Sequence, residues 1–334
     1  MNIIELECKE LLNKIDFSKL SNKRVLITGA SGLIGVYIVS CLSQISKLYN
    51  IEIYSWFKSD LPLEFSNIFS KCNIIKSDIT DDSNIEKLPM FDCIIHSSGY
   101  GQPNKFLEDK IKTIKLNTSS TIELFKKLNK GGKFLFVSSS EVYSGIVSDN
   151  ILETEIGTTN TSHPRSCYIE GKRCGESICY SYLNEGFDVK IVRLSLTYGP
   201  GTKKNDQRVF NSLIQKGLTN DSIKLVDSGD AIRTFCYITD VIEMILNILL
   251  NSKDVIYNVG GVSKLSILEL SKKIGYILNK EVETGESNNG LVGNPKSVNI
   301  SIEKYLKEFN KDFIPIDVGL NNTIKWQKEL YEKK

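Results

Sequence analysis

Short apolar runs alternate with amphipathic stretches along the first 200 residues. The apolar runs predict strands, and stretches with apolar positions three and four apart predict helices. Strands are expected at 24–28, 51–54, 73–76, 93–96, 133–138 and 189–194. Helices are expected at 3–15, from the first turn to about 48, at 108–129, and around 168–172 running to about 184. Because strands and helices alternate in this order, we predict an α/β fold with a Rossmann-type, doubly wound parallel sheet.

The pattern changes after the Gly-Pro-Gly turn at 199–201, and a smaller, mixed α/β region is expected from there on. The elements expected in it are a helix near 208–217, a strand near 223–226, and helices near 239–250 and 266–279. The helix at 3–15 is expected to pack on the body or on a partner subunit. The predicted parts are an N-terminal helical extension (1–22), a Rossmann domain (23–200) and a C-terminal region (201–334) with some interleaving of the chain.

Composition excludes several classes of protein. The chain has 334 residues, of which 41% are hydrophobic and 25% charged, so it can bury a substantial core. A net charge of +2 gives no reason to expect a nucleic-acid or membrane-surface partner. No apolar run approaches the ~20 residues of a membrane span, and Glu5, Glu7 and Glu10 argue against a signal peptide. We therefore expect a cytoplasmic protein.

Cysteine and histidine usage argues against metal and disulfide chemistry. Eight cysteines lie scattered without a Cys-x-x-Cys pair, and there are two histidines. Several cysteines sit in apolar runs, as Cys93 does before Ile94, and are expected to be buried thiols in a reducing compartment. Neither a zinc site nor a disulfide framework is predicted.

A glycine motif, Thr28-Gly29-x-x-Gly32-x-x-Gly35, falls between the first predicted strand and its helix. Gly29 permits a tight turn, Gly32 lets the backbone approach a pyrophosphate, and Gly35 allows close packing of helix on strand. The helix N-terminus then offers N–H groups and a partial positive charge to phosphates. The motif predicts a dinucleotide site, and the residues expected to line it further are Ser31, Leu33 and Ile34; a glycine turn in an unrelated α/β protein is the alternative.

The identity of the dinucleotide depends on the end of the second strand. An acid there normally binds the adenosine ribose of NAD, whereas this chain has Tyr-Ser-Trp-Phe-Lys at 54–58, and Asp60 comes late. Lys58 suits a 2′-phosphate, so NAD is a preference and NADP is not excluded. Asp78 and Ile79, after the third strand, suit the adenine.

Tyr168 and Lys172 are four residues apart on a predicted helix and therefore share one face. A phenol with a pKa of about 10 is a poor base at neutral pH. A neighbouring ammonium and the positive charge of an oxidised nicotinamide both favour the phenolate. The pair can then take a proton from a substrate hydroxyl as hydride leaves the carbon. The spacing alone is common on solvated helix faces, and the glycine motif upstream is what gives it meaning.

Together with Ser-Ser-Ser-Glu-Val-Tyr at 138–143, these motifs resemble the extended short-chain dehydrogenase/reductase family, whose members act mostly on nucleotide sugars. Within the family, the chain is most similar to the UDP-glucuronate decarboxylases. The similar stretches are Cys-Tyr-Ile-Glu-Gly-Lys-Arg at 167–173, Asn-Asp-Gln-Arg-Val at 205–209, Arg-Thr-Phe-Cys-Tyr at 233–237 with Asp240, Lys112-Thr113, and Asn117-Thr118.

The resemblance implies a role for each matching residue. The catalytic residues it implies are Tyr168, Lys172, Ser139, Ser140 and Glu141. The cofactor residues it adds are Ser97 and Asn117. The substrate residues are Pro103, Arg208 and Arg233, and either arginine suits a diphosphate or a carboxylate. It also implies that the cofactor is NAD and that the C-terminal region binds a UDP-sugar substrate. It further implies a homodimer formed through a helix bundle that includes the helix of Tyr168. Two departures put the substrate in doubt: Leu196 replaces an asparagine, and His96-Ser97-Ser98 replaces His-Leu-Ala.

The chemistry implied is oxidation of the sugar at C4, after which the group on C5 decides the outcome. A carboxylate there is lost as carbon dioxide, which is the leading hypothesis. A CH2OH group requires a 4,6-dehydratase, but many such enzymes have Asp-Glu where this chain has Ser140-Glu141. Glu141 argues against a plain 4-epimerase, and a non-catalytic dinucleotide-binding protein is the remaining alternative. His96 is expected to be structural, and His163 is a weak candidate for lining the site.

Overall fold

A seven-stranded parallel sheet forms the centre of the protein. The computed structural model describes residues 2–148, 150–285 and 299–332. The strands are β1 (Arg24–Thr28), β2 (Glu52–Phe57), β3 (Asn73–Lys76), β4 (Phe91–His96), β5 (Leu128–Ser139), β6 (Asp188–Leu194), β7 (Leu196–Tyr198), β8 (Ser222–Lys224), β9 (Ile232–Tyr237), β10 (Ile256–Val259), β11 (Ser263–Ser266) and β12 (Glu281–Glu283). The main sheet has the order β10-β6-β5-β4-β1-β2-β3, with every neighbouring pair parallel. The predicted α/β doubly wound fold is confirmed.

Helices cover both faces of this sheet. They are α1 (Ile3–Leu11), α2 (Leu33–Tyr49), α3 (Asp82–Glu86), α4 (Pro103–Glu108), α5 (Lys110–Asn117), α6 (Ser119–Phe125), α7 (Ser166–Leu183), α8 (Val209–Thr219), α9 (Ile238–Asn251), α10 (Ile267–Leu278), α11 (Glu303–Glu308) and α12 (Ile316–Glu332). Two small sheets, β11-β9-β7 and β12-β8, belong to the C-terminal region. The longest buried helix is α9, whose residues are almost all inaccessible.

The single helix predicted over 108–129 is wrong, because two separate short helices, α5 and α6, and the start of β5 occupy that stretch. The Asp109 side chain accepts a hydrogen bond of 2.9 Å from the backbone N–H of Lys112, and so begins a new helix. Thr118 leaves helical geometry with ψ of −86°, and separates α5 from α6. The apolar spacing runs continuously through both breaks, which is why it predicts one helix.

A seventh strand, β10, joins the main sheet from the C-terminal region and pairs with β6 in register Ile256 with Ile191. The sequence pattern predicts no strand there. All four residues of β10 are buried, so they show none of the apolar–polar alternation that marks a half-exposed strand.

The N-terminal helix α1 packs against α2 and α9 of the same chain. It buries Ile4, Cys8 and Leu11, and a capping box between Asn2 and Glu5 fixes its start. Of the two positions expected for this helix, the structure shows the one on the body. No helix in the described parts of the chain is long and apolar enough to cross a membrane.

Candidate active site

The glycine turn after β1 has the geometry that a dinucleotide site requires. Gly29 has φ of +68°, and a Cβ placed on it would lie 2.7 Å from the Ser97 carbonyl oxygen. A Cβ on Gly35 would lie 2.5 Å from the Gly29 carbonyl oxygen. Gly32 is the N-cap of α2, and within the described ranges no side chain caps that N-terminus. Its N–H groups are therefore available to phosphates. The turn fits the pyrophosphate of NAD.

Residues on either side of the turn are fixed by packing. Ser31 and Leu33 are buried, whereas Ile34 is partly exposed. The loop after β4 runs from this turn towards the predicted catalytic pair, Tyr168 and Lys172. The Ser97 hydroxyl donates to the Thr28 carbonyl oxygen at 2.6 Å. Two residues on, a Cβ placed on Gly99 would lie 3.6 Å from Lys172 Nζ. The loop thus connects the glycine turn with Lys172. A dinucleotide that extends across the end of the sheet would contact both.

His96 is buried and structural, as predicted from its place at the end of β4. Its Nδ1 lies 2.7 Å from the Thr28 hydroxyl, and its Nε2 lies 3.1 Å from the Leu116 carbonyl oxygen. Burial, together with the charge of Lys172, lowers the pKa of His96 to about 3. The imidazole is therefore neutral at physiological pH.

The helix α7 carries Tyr168 and Lys172 on one face, beside the end of β5. Lys172 is buried, donates from Nζ to the Val137 carbonyl oxygen at 2.7 Å, and lies 4.9 Å from the centroid of the Phe136 ring. Burial lowers the pKa of Lys172 to about 7. Its Nζ lies 5.8 Å from the Tyr168 ring centroid.

Tyr168 is stacked on Phe106, with ring centroids 4.7 Å apart. Burial raises the pKa of Tyr168 to about 12, although a hydrogen bond with the Ser139 hydroxyl acts in the opposite direction. The expectation that Lys172 lowers this pKa is therefore not met in the protein alone, because desolvation outweighs the nearby charges and the ammonium binds a backbone carbonyl. Ser139 is the group that contacts the phenol directly.

The serine-rich segment at the end of β5 turns into a 3₁₀ helix, Ser140–Tyr143. Ser139 is its N-cap, and its Oγ accepts a hydrogen bond of 3.2 Å from the Glu141 backbone N–H. This cap holds Ser139 and Glu141 in a fixed relation, with Ser140 half-buried between them. Three of the predicted catalytic side chains thus share one turn that faces α7.

Glu141 is largely buried and forms an ion pair with Arg165. Burial raises the pKa of Glu141, and the charges of Arg165, His163 and Arg233 oppose that rise. Arg165 is itself buried, and its guanidinium carbon lies 5.5 Å from the Phe106 ring centroid. Arg165 is not among the site residues predicted from the sequence. Its position three residues before Tyr168, one helical turn away, was the available signal.

The predicted substrate arginines lie on two sides of this cluster. Arg208 is the N-cap residue of α8 and forms a two-atom pair with Asp206, and its charge acts on Tyr168. Arg233 lies on β9, and its charge acts on Glu141. Pro103 is the first residue of α4, and its side chain lies outside the described part of the structure.

At the adenosine end, Asp78 follows β3 and binds two lysines. Lys58 Nζ lies 3.0 Å from its carboxylate, and Lys112 forms a second, shorter ion pair. Although burial acts to raise the pKa of Asp78, hydrogen bonds from Lys112 and Lys58 hold it well below its usual range. Ile79 is buried beside it.

Asn117 is buried at the end of α5, where its Nδ2 donates to the Thr113 carbonyl oxygen at 2.8 Å. Its Oδ1 has no hydrogen-bond partner among the described residues. A Cβ on Gly171 would lie 3.4 Å from Asn117 Nδ2, so this asparagine packs under α7. A role for Asn117 in binding the cofactor stays a prediction.

Leu196, one of the departures from the family pattern, lies on β7 and is exposed. Arg193, three residues earlier, is buried, paired with Glu176 at 2.7 Å and bound to the Tyr143 hydroxyl.

Within the described residues, no three Asp, Glu, His or Cys side chains come together as a metal site would require.

Comparison with known proteins agrees with this geometry. A model of the NAD dependent epimerase/dehydratase family matches residues 25–260. The chain is 28% identical to UDP-glucuronic acid decarboxylase 6 of Arabidopsis thaliana over 268 residues, which are 79% of this chain and 76% of the relative.

Solved structures share the fold. UDP-glucuronic acid 4-epimerase from Bacillus cereus, in complex with UDP-glucuronic acid and NAD, superposes with a TM-score of 0.75 at 22% identity, covering 92% of this chain and all of that one. A dTDP-glucose 4,6-dehydratase from Streptomyces venezuelae, solved with NAD, has a TM-score of 0.78 at 20% identity, covering 92% and 97%. At these identities the likeness establishes the architecture and not the reaction.

Proposed function

Because the chain belongs to the NAD dependent epimerase/dehydratase family, we propose that it oxidises C4 of a UDP-hexuronate and then decarboxylates the sugar at C5. The product is a UDP-4-keto-pentose, or UDP-xylose if the ketone is reduced again. The similarity to a UDP-glucuronic acid decarboxylase over 79% of the chain supports the substrate class.

Proton transfer from the sugar falls to Tyr168. Bound NAD supplies the hydride acceptor for C4 and a positive charge beside the phenol. Tyr168 takes the proton from the 4-hydroxyl, and Ser139, which hydrogen-bonds to the phenol, orients that hydroxyl. Lys172, fixed by Val137 and adjacent to Gly99, holds the nicotinamide ribose.

The arrangement of charge around Glu141 is the observation that carries the proposal. Arg165 pairs with Glu141, and Arg233 acts on the same carboxylate, so two guanidinium groups accompany one acid. Glu141, Arg165 and Arg233 together carry a net positive charge next to Tyr168. Guanidinium groups bind carboxylates through paired hydrogen bonds. A guanidinium group at this site therefore stabilises a carboxylate on C5 of the sugar, whereas a neutral CH2OH group has no charge for it to stabilise.

Oxidation at C4 makes the substrate a β-keto acid. The bond from C5 to the carboxylate carbon then breaks, its electron pair passes into the C4 carbonyl, and carbon dioxide leaves. The resulting enolate must take up a proton at C5. We assign this step to Glu141, and the rise of its pKa on burial, which favours the form that carries a proton, supports the assignment.

The test is incubation of the protein with NAD and UDP-glucuronate, followed by measurement of carbon dioxide and mass spectrometry of the nucleotide sugar. We expect carbon dioxide and a UDP-pentose or its 4-keto form. Absence of both, from folded protein that binds NAD, would refute the proposal. Arg165→Met should lower kcat/KM by about 10- to 100-fold, the worth of a charge-assisted hydrogen bond, while Lys325→Met, on the exposed face of α12, should leave it unchanged.

A 4,6-dehydratase is the second candidate, and the raised pKa of Glu141 favours it, because elimination needs an acid for the departing hydroxyl. It predicts turnover of a neutral sugar nucleotide, with deuterium moving from C4 to C6 and no carbon dioxide. Ser140, where many dehydratases have an acid, weighs against it.

Self-association is part of the proposal. Four apolar side chains on α5, α6 and α7 are exposed, and they are Ile111, Ile114, Ile122 and Tyr180. This face adjoins the tyrosine helix and supports a homodimer formed through these helices. Light scattering after size exclusion should give about twice the 37.6 kDa mass of one chain.

A further inference from the structure

The end of β2 lacks the carboxylate that usually binds the adenosine ribose of a dinucleotide. The chain continues from Phe57 into Lys58, Ser59 and Asp60. Asp60 is almost wholly exposed and forms an ion pair with Lys76. The residue of this segment that meets the glycine turn is Ser59, through the Ser31 hydroxyl.

Two hydroxyls and an ammonium converge beside the turn. Ser59 Oγ lies 3.4 Å from Ser31 Oγ, which belongs to the glycine motif itself. Lys203, from the segment after the Gly-Pro-Gly turn, donates from Nζ to Ser59 Oγ at 3.1 Å. Hydroxyl donors with a lysine are the partners that a phosphate oxygen takes in proteins.

The charge in this corner is positive. Asp78 lies between Lys58 and Lys112, so one carboxylate is shared by two ammonium groups. Adding Lys203, three positive charges face one negative charge. A hydroxyl on the ribose gains little from such a field, whereas a phosphate dianion gains Coulomb energy from each lysine.

We propose that Ser31, Ser59, Lys58 and Lys203 form a subsite for a phosphate on the 2′ position of the adenosine ribose, so that the protein accepts NADP as well as NAD. The serine hydroxyls donate to the phosphate oxygens, and the two lysines neutralise its charge. The subsite lies at the opposite end of the dinucleotide site from Tyr168. The proposal depends only on the dinucleotide turn, and holds whichever sugar reaction the enzyme performs.

The experiment is titration of cofactor-free protein with NADP and with NAD by calorimetry, without any sugar nucleotide. We expect NADP to bind within tenfold of NAD or more tightly, and its affinity to fall with added salt more steeply than that of NAD. Because the readout is binding, failure of the decarboxylase proposal leaves this result untouched, and the converse also holds.

Variants assign the effect to these residues. Ser59→Ala and Lys203→Ala should each weaken NADP by about tenfold, the worth of one charge-assisted hydrogen bond, and change NAD by less than about threefold. Lys58→Asp supplies the missing ribose acid, and should move the preference towards NAD by about 100-fold. Lys325→Ala removes the same charge from the exposed face of α12, and should change neither affinity.

Two outcomes would overturn the proposal. One is NADP binding more than tenfold weaker than NAD in the unmodified protein. The other is a loss of NAD and NADP affinity by equal factors in the Ser59 and Lys203 variants, with circular dichroism showing them folded.

Discussion

The role proposed for Tyr168 requires it to lose a proton in a setting that disfavours its charged form. Burial raises its pKa to about 12, and a hydrogen bond with the Ser139 hydroxyl and the charges of Arg165 and Arg208 oppose this rise. Replacing the phenol should therefore remove catalysis without disturbing the fold, because the Phe106 stack needs only the ring.

Tyr168→Phe should lower kcat by about 10²- to 10⁴-fold, the usual contribution of a positioned acid or base. Steady-state rates with UDP-glucuronate measure this, and calorimetry with NAD should give an unchanged affinity. Tyr180→Phe, an exposed tyrosine on the same helix, is the control and should keep full activity. A Tyr168→Phe variant with more than a tenth of the original rate would contradict the assignment.

His96 makes stability depend on pH in a defined direction. Its folded-state pKa is lowered to about 3, from 6.5 in the unfolded chain. Its contribution to stability is therefore complete above pH 6.5 and is lost as pH falls towards 3, since only the unfolded state takes up the proton in that interval. At pH 5 the loss is about 2 kcal/mol.

The measurement is urea unfolding at pH 7.5 and pH 5. The unmodified protein should lose about 2 kcal/mol more than His96→Gln between these two values. Equal losses in the unmodified protein and the His96 variant would show that His96 does not titrate in this way.

Single residues were predicted well where a motif fixes their surroundings. The glycine turn needs backbone geometry at Gly29 and Gly35, and the structure has it. Arg165 was not predicted, because its importance comes from a contact with Glu141, 24 residues away along the chain. A contact between residues that far apart along the chain produces no periodic pattern in the sequence. The lowered pKa expected for Tyr168 also depended on burial, which spacing does not report.

At the scale of elements, the contact between α7 and β5 sets the position of the catalytic pair. Gly175 on α7 faces β5, and a Cβ there would lie 2.4 Å from Phe136 Cζ and 2.8 Å from the Asn117 carbonyl oxygen. The helix can approach the sheet this closely only without a side chain at that position.

Gly175→Ala should therefore destabilise the protein by about 1–3 kcal/mol through overpacking, despite the better helix propensity of alanine. It should also lower kcat, because Lys172 moves with the helix. Chemical unfolding and initial rates measure the two effects. Gly101→Ala is the control, since no atom lies within 4 Å of its Cβ position, and a Gly175→Ala variant as stable as this control would argue against the close approach.

Element prediction succeeded for six strands of the main sheet and missed several other elements, among them β9 and α12. Two of the failures have distinct physical causes. The helix over 108–129 is divided by the cap at Asp109 and the turn at Thr118, which are local polar contacts within an uninterrupted apolar pattern. Strand β10 was missed because it is four residues long and buried throughout.

At the scale of the whole molecule, Lys311 ties the last helices to α9. Its side chain is fully buried, and its Nζ lies 2.9 Å from both Asp240 and Glu243. Lys311→Met leaves the buried Asp240 without its cation and leaves Glu243 with the half-exposed Lys14, and should cost about 3–5 kcal/mol. Lys14, half-exposed and 3.6 Å from the same Glu243, gives a matched control, and Lys14→Met should cost less than about 1 kcal/mol.

Denaturant unfolding of both variants measures the difference. Equal effects would show that the acids, and not the lysine, hold this contact.

The predicted family is confirmed by a family model that matches residues 25–260. The motifs that indicate the family are spread along most of the chain, so their order reflects the whole fold.

The return of β10 to the main sheet bears on how the chain is made. On a ribosome, β6 emerges about 60 residues before the strand that covers its edge, which is several seconds at the usual rate of synthesis. During that time β6 is an open, apolar edge, the kind to which other chains add. If the codons between β6 and β10 are changed so that translation pauses there, more of the protein should therefore aggregate. A pause introduced after residue 259 should not have this effect.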